Sequence, residues 1–351
     1  MLTALWAPYG LDFRFEARTS REVLQKKVTY FVRVWDTQRP EIAGIGECAL
    51  FCGLSSDDCP DYVQRLSDAC TNPEAAAVSQ YSSIRMGFET ALADLHSGGR
   101  HCPADNAWTA GCEGIAINGL IWMGDKATMR KRIAEKLEQG FKVLKLKIGG
   151  IDFDSELDLL REIRRNFTFG ELELRLDANG SFSRRPEQAM DYLYRLAEFG
   201  IHSIEQPLRA GSGDAMARIC RESPIPVALD EELIGPAPSP EAASDLLAYL
   251  RPSYIILKPT LCGGFSGADT WIEQAGRLGM EWWATSALES NVGLNAIAQW
   301  LSAKHTKLPQ GLGTGQLYKN NIQSPLELRG DRLFYNPSRQ WKFPEKTEWR
   351  Q

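Results

Sequence analysis

Five ionisable residues stand out by type and spacing. Lys147 ends the run VLKLK, Asp177 ends LELRLD, Glu205 ends HSIE, Asp230 ends PVALD and Lys258 ends YIILK. From 147 to 177 is 30 residues, to 205 another 28, to 230 another 25 and to 258 another 28. One strand-plus-helix step takes about 30 residues. The order is lysine, three acids, lysine. Three carboxylates suit a hard, oxygen-seeking cation such as Mg²⁺, and the lysines would flank it from opposite sides. Such a set could remove a proton next to a carboxylate. That proton is hard to take, because the product carries two negative charges on oxygen. A divalent ion bound to the carboxylate offsets them. A lysine acts as the base only where a nearby cation and partial burial favour its neutral form. Lys145 lies two residues before Lys147, so both project to one face of the strand, and their repulsion is expected to help Lys147 give up its proton. A single Asp at a strand end is commonly a helix cap or loop contact. Five ionisable strand ends in succession are not explained that way.

These residues must be held by a repeating scaffold. From residue 114 onward, short apolar runs alternate with amphipathic stretches. The strands are read as 115–122, 143–148, 172–177, 202–205, 226–230, 254–258, 281–286 and 311–314. In the first intervening stretch Met129, Ile133 and Leu137 recur every four residues, as on one helix face. Eight strand-helix steps without hairpin turns imply a (β/α)8-type TIM barrel, whose strand C-termini surround one pocket. A doubly wound open sheet is the rival, but its glycine-rich first turn is absent. The first hundred residues read as an α+β unit. Leu11, Phe13 and Phe15 alternate with polar residues, 28–35 is β-rich, and Ile84, Phe88, Leu92 and Leu95 share a helical face. The expected organisation is an N-terminal α+β capping domain (1–100), a barrel (101–323) and a tail (324–351). The tail is rich in Trp, Pro and Arg and is expected to pack back on the N-terminal unit.

Composition narrows the partners. The 351 residues carry a net charge of −5 and are 43% hydrophobic. That argues against nucleic acid or an anionic membrane surface, and no apolar run reaches the length of a membrane span. The N-terminus does not read as a signal peptide. Cysteines at 48, 52, 59, 70, 102, 112, 220 and 262 contain no C-x-x-C pair, and the histidines at 96, 101, 202 and 305 supply no zinc set. Scattered thiols fit a cytoplasmic protein. The expected partner is a small-molecule carboxylate; the sequence does not give the oligomeric state.

The motifs Lys145-Leu146-Lys147, Asp177-Ala178-Asn179, Glu205-Gln206-Pro207, Asp230-Glu231 and Lys258-Pro259 resemble the signature of the enolase superfamily, and within it the muconate-lactonizing subgroup. GIGECALFCGLSSD (44–57) is similar to the family's capping-domain loop, SSIRMGFETALADL (82–95) to its linking helix, and INGLIW (117–122) to its first barrel strand. The resemblance implies that Asp177, Glu205 and Asp230 bind Mg²⁺, with Mn²⁺ as a substitute. It implies that Lys147 abstracts the α-proton and that Lys258 stabilises the enediolate from the other face. Lys145, Arg175 and Asn179 would be supporting polar groups near the carboxylate or metal. LRLDANG, SIEQPL, LKPTLCGG and SALESNVGL point within the subgroup to a dehydratase, in which Lys147, once protonated, helps a hydroxyl leave on the same face.

The rest of the pocket is open to two readings. Ser286, Glu289, Ser290 and Asn291 follow the seventh strand, and Gly313 and Thr314 the eighth. By position they could meet the far end of the substrate; helix capping and a glycine turn are the competing reading. Gly53, Leu54 and Ser55 could close over the pocket or form an ordinary surface turn. A racemase would use the same five residues, and a muconate-type cycloisomerase is a further choice. The acidic Asp-x-Asp motif of dipeptide epimerases is replaced by GLGTGQ (311–316). A glycoside hydrolase would need two carboxylates but leaves the lysines unexplained. A non-catalytic member would be expected to have lost at least one of the five.

Overall fold

The computed structural model describes residues 1–18, 23–304, 306–344 and 347–351; His305 lies outside the described residues. The chain opens with three antiparallel strands, β1 (Leu2–Arg18), β2 (Val23–Asp36) and β3 (Arg39–Cys48). Helices α1 (Tyr62–Cys70), α2 (Pro73–Ala76) and α3 (Ser82–His96) follow. Residues 44–48, the start of the stretch that resembles the capping-domain loop, therefore belong to a strand. Gly44 and Gly46 let that strand press against α3: a Cβ on either would stand 1.9 Å from a helix carbonyl, of Ala91 and Gly87 respectively. Ile84 and Phe88 are buried on the same helix, with Leu92 and Leu95 packed alongside. The buried carboxylate of Asp57 starts α3 by accepting the backbone N–H groups of Ser82 and Ser83 at 3.1 and 2.7 Å.

Strand and helix then alternate. The elements are β4 (Ile115–Ala116), β5 (Gly119–Ile121), α4 (Lys126–Glu138), β6 (Val143–Lys147), α5 (Phe153–Asn166), β7 (Glu173–Asp177), α6 (Ala189–Ala197), β8 (Ser203–Glu205) and α7 (Gly213–Glu222). They continue with β9 (Val227–Leu229), α8 (Pro240–Leu250), β10 (Tyr254–Leu257), α9 (Gly264–Arg277), β11 (Glu281–Ala284), α10 (Asn291–Ser302), β12 (Leu326–Arg329) and β13 (Arg332–Tyr335). Strands β5 to β11 form a seven-stranded parallel sheet in sequence order. A doubly wound sheet reverses its strand order at a switch point; this one never does, so each step curls the sheet further the same way.

The eighth strand differs from expectation. Residues 311–314 do not form a strand. Pairing is confined to Gln310, which bridges Ile117, and Gly311, which bridges Thr285. Two glycines in GLGT favour a turn over extended pairing, and Gly313–Gln316 coils into a 3-10 turn. The short pairing still ties both edges of the curled sheet: Asn118 N–H donates to Gln310 O at 2.9 Å, and Gly311 N–H to Ala284 O at 2.8 Å.

The tail divides. The hairpin β12–β13 pairs with β4 at the start of the first barrel step. Farther on, Trp6 and Arg350 exchange backbone hydrogen bonds at 2.9 and 2.7 Å, and Trp341, Phe343 and Trp349 pack with Phe31 of β2. The helices seal the sheet with their apolar faces. In α4, Met129 and Ile133 are buried and Leu137 partly so, each worth about 1.5–3 kcal/mol when fully covered. No helix among the described residues is long and apolar enough to cross a membrane.

Candidate active site

In parallel strands the register fixes which side chains stand level. Lys147 pairs with Asp177, and Asp177 with Glu205. Asp230 immediately follows β9, and Lys258 immediately follows β10. All five of these groups and Lys145 are held in buried ion pairs. Lys147 Nζ lies 2.9 Å from Asp177 Oδ2, and Lys145 Nζ lies 3.2 Å from the same oxygen. Lys145 also reaches Glu205 Oε2 at 2.5 Å. Lys258 donates to Asp230 Oδ2. Lys147 further donates to Asn179 Oδ1 at 2.9 Å, and Asn179 Nδ2 donates to Glu231 Oε1 at 3.3 Å.

Burial dominates the electrostatics, and the lysines oppose it. Burial disfavours the Asp177 carboxylate, yet Lys145 and Lys147 hold its pKa well below the usual range. Glu205 is the reverse: burial and the neighbouring Asp177 push its carboxyl well above the ordinary value, beyond what Lys145 returns. Burial and Asp230 likewise raise Glu231. Lys145 was expected to act by repelling Lys147. Burial does work against its charge, but Asp177 and Glu205 more than compensate and keep it above its ordinary value. Burial also opposes the charge of Lys258, and Asp230 and Glu205 overcome it.

Among the described residues, no three acidic, His or Cys side chains are drawn together closely enough to hold a metal as they stand. The carboxylates turn to the lysines instead. The donor set nonetheless fits a hard cation. Asp177, Glu205 and Asp230 supply only oxygen, from adjacent strand ends, and Glu205 Oε1 is buried without any hydrogen-bond partner.

Strain marks the same ends. Asn179 and Gln206, each soon after an acidic strand end, have φ of 43° and 42°, and Leu288 has 64°. Left-handed backbone is unfavourable for Gln and Leu, though asparagine tolerates it, and it concentrates at functional sites.

One cavity opens on this network. Its lining includes Lys145, Lys147, Asp177, Asn179 and Lys258, together with Leu54, Ser286, Gly313 and Thr314. Glu205 and Asp230 sit behind the lysines. Other expected residues lie elsewhere. Arg175 is on the inward face, level with Lys145, but turns back along the strand. It reaches Glu173 Oε1 at 2.7 Å and Pro309 O at 2.9 Å, and lies over the Trp283 ring. Ser290 caps α10 and donates its hydroxyl to Glu47 at 2.5 Å. Asn291 donates to Ile322 O at 2.6 Å. Glu289 is buried beneath the pocket wall, where it accepts the Ser286 hydroxyl. Gly53 and Ser55 shape the cap turn without lining the cavity; the Ser55 hydroxyl accepts Phe51 N–H at 2.9 Å.

Sequence reasoning missed Phe51, Asn118, Leu120, Trp122, Glu231, Thr285, Ala287, Leu288 and Gly311 as lining residues. A signal existed for three of them. Asn118, Leu120 and Trp122 alternate along the first barrel run, so a period of two places them on one face. Asn118 Oδ1 and Thr314 Oγ1 have no hydrogen-bond partner and are available to polar substrate atoms. Trp122 stands beside Lys147, with Nζ 5.9 Å from its ring centre.

Known proteins match this chain closely. The family described as enolase C-terminal domain-like matches residues 128–334. The o-succinylbenzoate synthase of Desulfotalea psychrophila is 44% identical, over 92% of this chain and 96% of that protein. The crystal structure of MenC from the same organism superposes with a TM-score of 0.80 at 40% identity, covering 95% of this chain and 99% of that one. The L-Ala-D/L-Glu epimerase of Bacillus subtilis is 29% identical, over 48% of this chain and 44% of its own length.

Proposed function

The chain belongs to the enolase C-terminal domain-like family, and on that premise we propose that it is a carbon–oxygen lyase with o-succinylbenzoate synthase activity. The substrate is 2-succinyl-6-hydroxy-2,4-cyclohexadiene-1-carboxylate, and the product feeds menaquinone synthesis. Identity of 44% over nearly the whole chain supports this substrate over that of the epimerase, which matches half of the chain. The observation that carries the chemistry is the placement of Lys147 and Lys258. They contact the two outer members, Asp177 and Asp230, of a buried trio of strand-end carboxylates.

Asp177, Glu205 and Asp230 would hold Mg²⁺, with Mn²⁺ as a substitute. Bound there, the ion would offset the negative charge that grows on the substrate carboxylate as the α-proton leaves. Lys147 takes that proton, and Asn179 Oδ1 orients its amino group. As the ammonium, Lys147 gives the proton to the departing hydroxyl on the same face. One C–H and one C–O bond break, water leaves and the ring becomes aromatic. Lys258 places positive charge beside the enediolate from the other side. Lys145 holds Asp177 and Glu205 together.

In this reading the pairing at 310–311 completes a (β/α)8-type barrel, residues 1–100 and part of the tail cap it, and the partner is a small carboxylate. Eight free cysteines support a cytoplasmic location. N-acylamino acid racemisation is the second reading, since two opposed lysines also serve it. A spectrophotometric assay of the diene substrate, with Mg²⁺ or excess EDTA, separates them. Rapid, Mg²⁺-dependent loss of diene absorbance is expected. No turnover in either condition overturns the lyase reading and makes racemisation in deuterated water the next test.

A further inference from the structure

A second cavity, of about 410 Å³, lies where α3, α10 and the C-terminal tail meet. It shares no lining residue with the proposed active site. Five aromatic side chains line it, among aliphatic and polar residues. Trp341 and Phe343 stack with centres 5.9 Å apart, and His101 meets them edge-on at 5.5 and 5.2 Å. Phe265 and Trp300 form another pair at 5.5 Å.

Two buried polar atoms in this lining have no partner, the acceptor Oδ1 of Asn295 and the donor Nε1 of Trp341. Asn295 is 5% exposed and donates Nδ2 to the His101 carbonyl at 3.0 Å. A carbonyl only accepts, so this bond settles which end of the amide is nitrogen. Oδ1 is then a buried acceptor without a donor. Such an atom costs free energy until it is paired.

The charged groups argue against an anion. The lining carboxylates are Glu89 and Asp94. Asp94 holds the His101 ring nitrogen Nδ1 at 2.6 Å, and Glu89 accepts the Phe265 backbone N–H at 2.6 Å.

We propose that this cavity binds a small, neutral phenol, whose hydroxyl can both donate and accept a hydrogen bond. The ring packs against Trp341 and Phe343, and the donor meets Asn295 Oδ1. Titration of the full-length protein with 4-fluorophenol and 4-fluoroanisole, followed by ¹⁹F NMR, tests it. Saturable phenol binding is expected, with the anisole, which lacks the donor, at least fivefold weaker. Asn295→Leu should bring the two probes level. Ala93→Trp, at the exposed rim on α3, should weaken phenol binding at least tenfold while turnover of the diene substrate and Tm stay unchanged. Equal binding of the two probes to the wild type, phenol binding that survives Ala93→Trp, or no saturable binding would each overturn the proposal. So would tighter binding of 4-fluorobenzoate that Ala93→Trp abolishes.

Discussion

On one side of the active-site cavity, Lys145, Lys147, Asp177 and Lys258 project from or directly after regular parallel strands; on the other, Phe51, Leu54, Ser286 and Leu288 project from loops. The strand side is a closed network in which each lysine touches a carboxylate. The loop side is largely apolar and is tied down from behind. Glu47 of β3 accepts Ser290 N–H at 2.9 Å and Gly293 N–H at 2.8 Å, which fastens the start of α10 to the N-terminal sheet. The contrast suggests a division of labour. In the proposed reading, chemistry falls where backbone ladders fix position, and substrate choice falls to loops whose composition can vary.

The comparison can be broken from the strand side first. If Lys258 acts as proposed, Lys258→Ala removes the positive charge beside the enediolate and should lower kcat about 10²–10³-fold, with little change in KM. A drop in kcat/KM carried by KM alone would move Lys258 to the substrate-binding side. Glu205→Gln should lower Mg²⁺-dependent turnover about 100-fold or more. In EDTA its Tm should match or exceed the wild type, because burial and Asp177 disfavour the Glu205 charge. The Tm gained on adding Mg²⁺ should shrink in the variant. A strong loss of Tm in EDTA would show a structural role instead.

Leu54→Ala tests the loop side. It should raise KM about tenfold, the low end of what a lost methylene contact costs, and leave kcat within a few-fold. Equal loss in kcat would dissolve the division. The smallest effect concerns the loop after Lys147. Glu156 Oε1 accepts Gly149 N–H at 2.6 Å. Burial pushes the Glu156 carboxyl up to about 7, against its backbone donors. The folded state thus binds this proton more tightly than the unfolded chain. The stabilisation is complete below about pH 4.5 and is lost as pH rises through 7, at most roughly 3 kcal/mol. Urea denaturation of Glu156→Gln and wild type should therefore diverge in the variant's favour from pH 5 to 8. Parallel curves would refute the assignment.

The strand side was legible in the sequence because period-two alternation and a regular step put ionisable residues at successive strand ends. The same periodicity gave the face of Arg175 but not its direction. A long side chain can turn either way along its strand, and Glu173 with Trp283 draws this one back. Ser290 shows the limit on the loop side. The types that could bind substrate also cap helices, and only the approach of Glu47, 243 residues away in sequence, decides between them. The eighth strand failed for a related reason: two glycines left a pairing of two residues where a run of four was expected.

Lys147 is the proposed base. The direct measurement is kcat of Lys147→Ala in the diene assay at saturating Mg²⁺, with circular dichroism to confirm the fold. A fall of about 10³-fold or more is expected, and turnover within a few-fold of wild type would contradict the account.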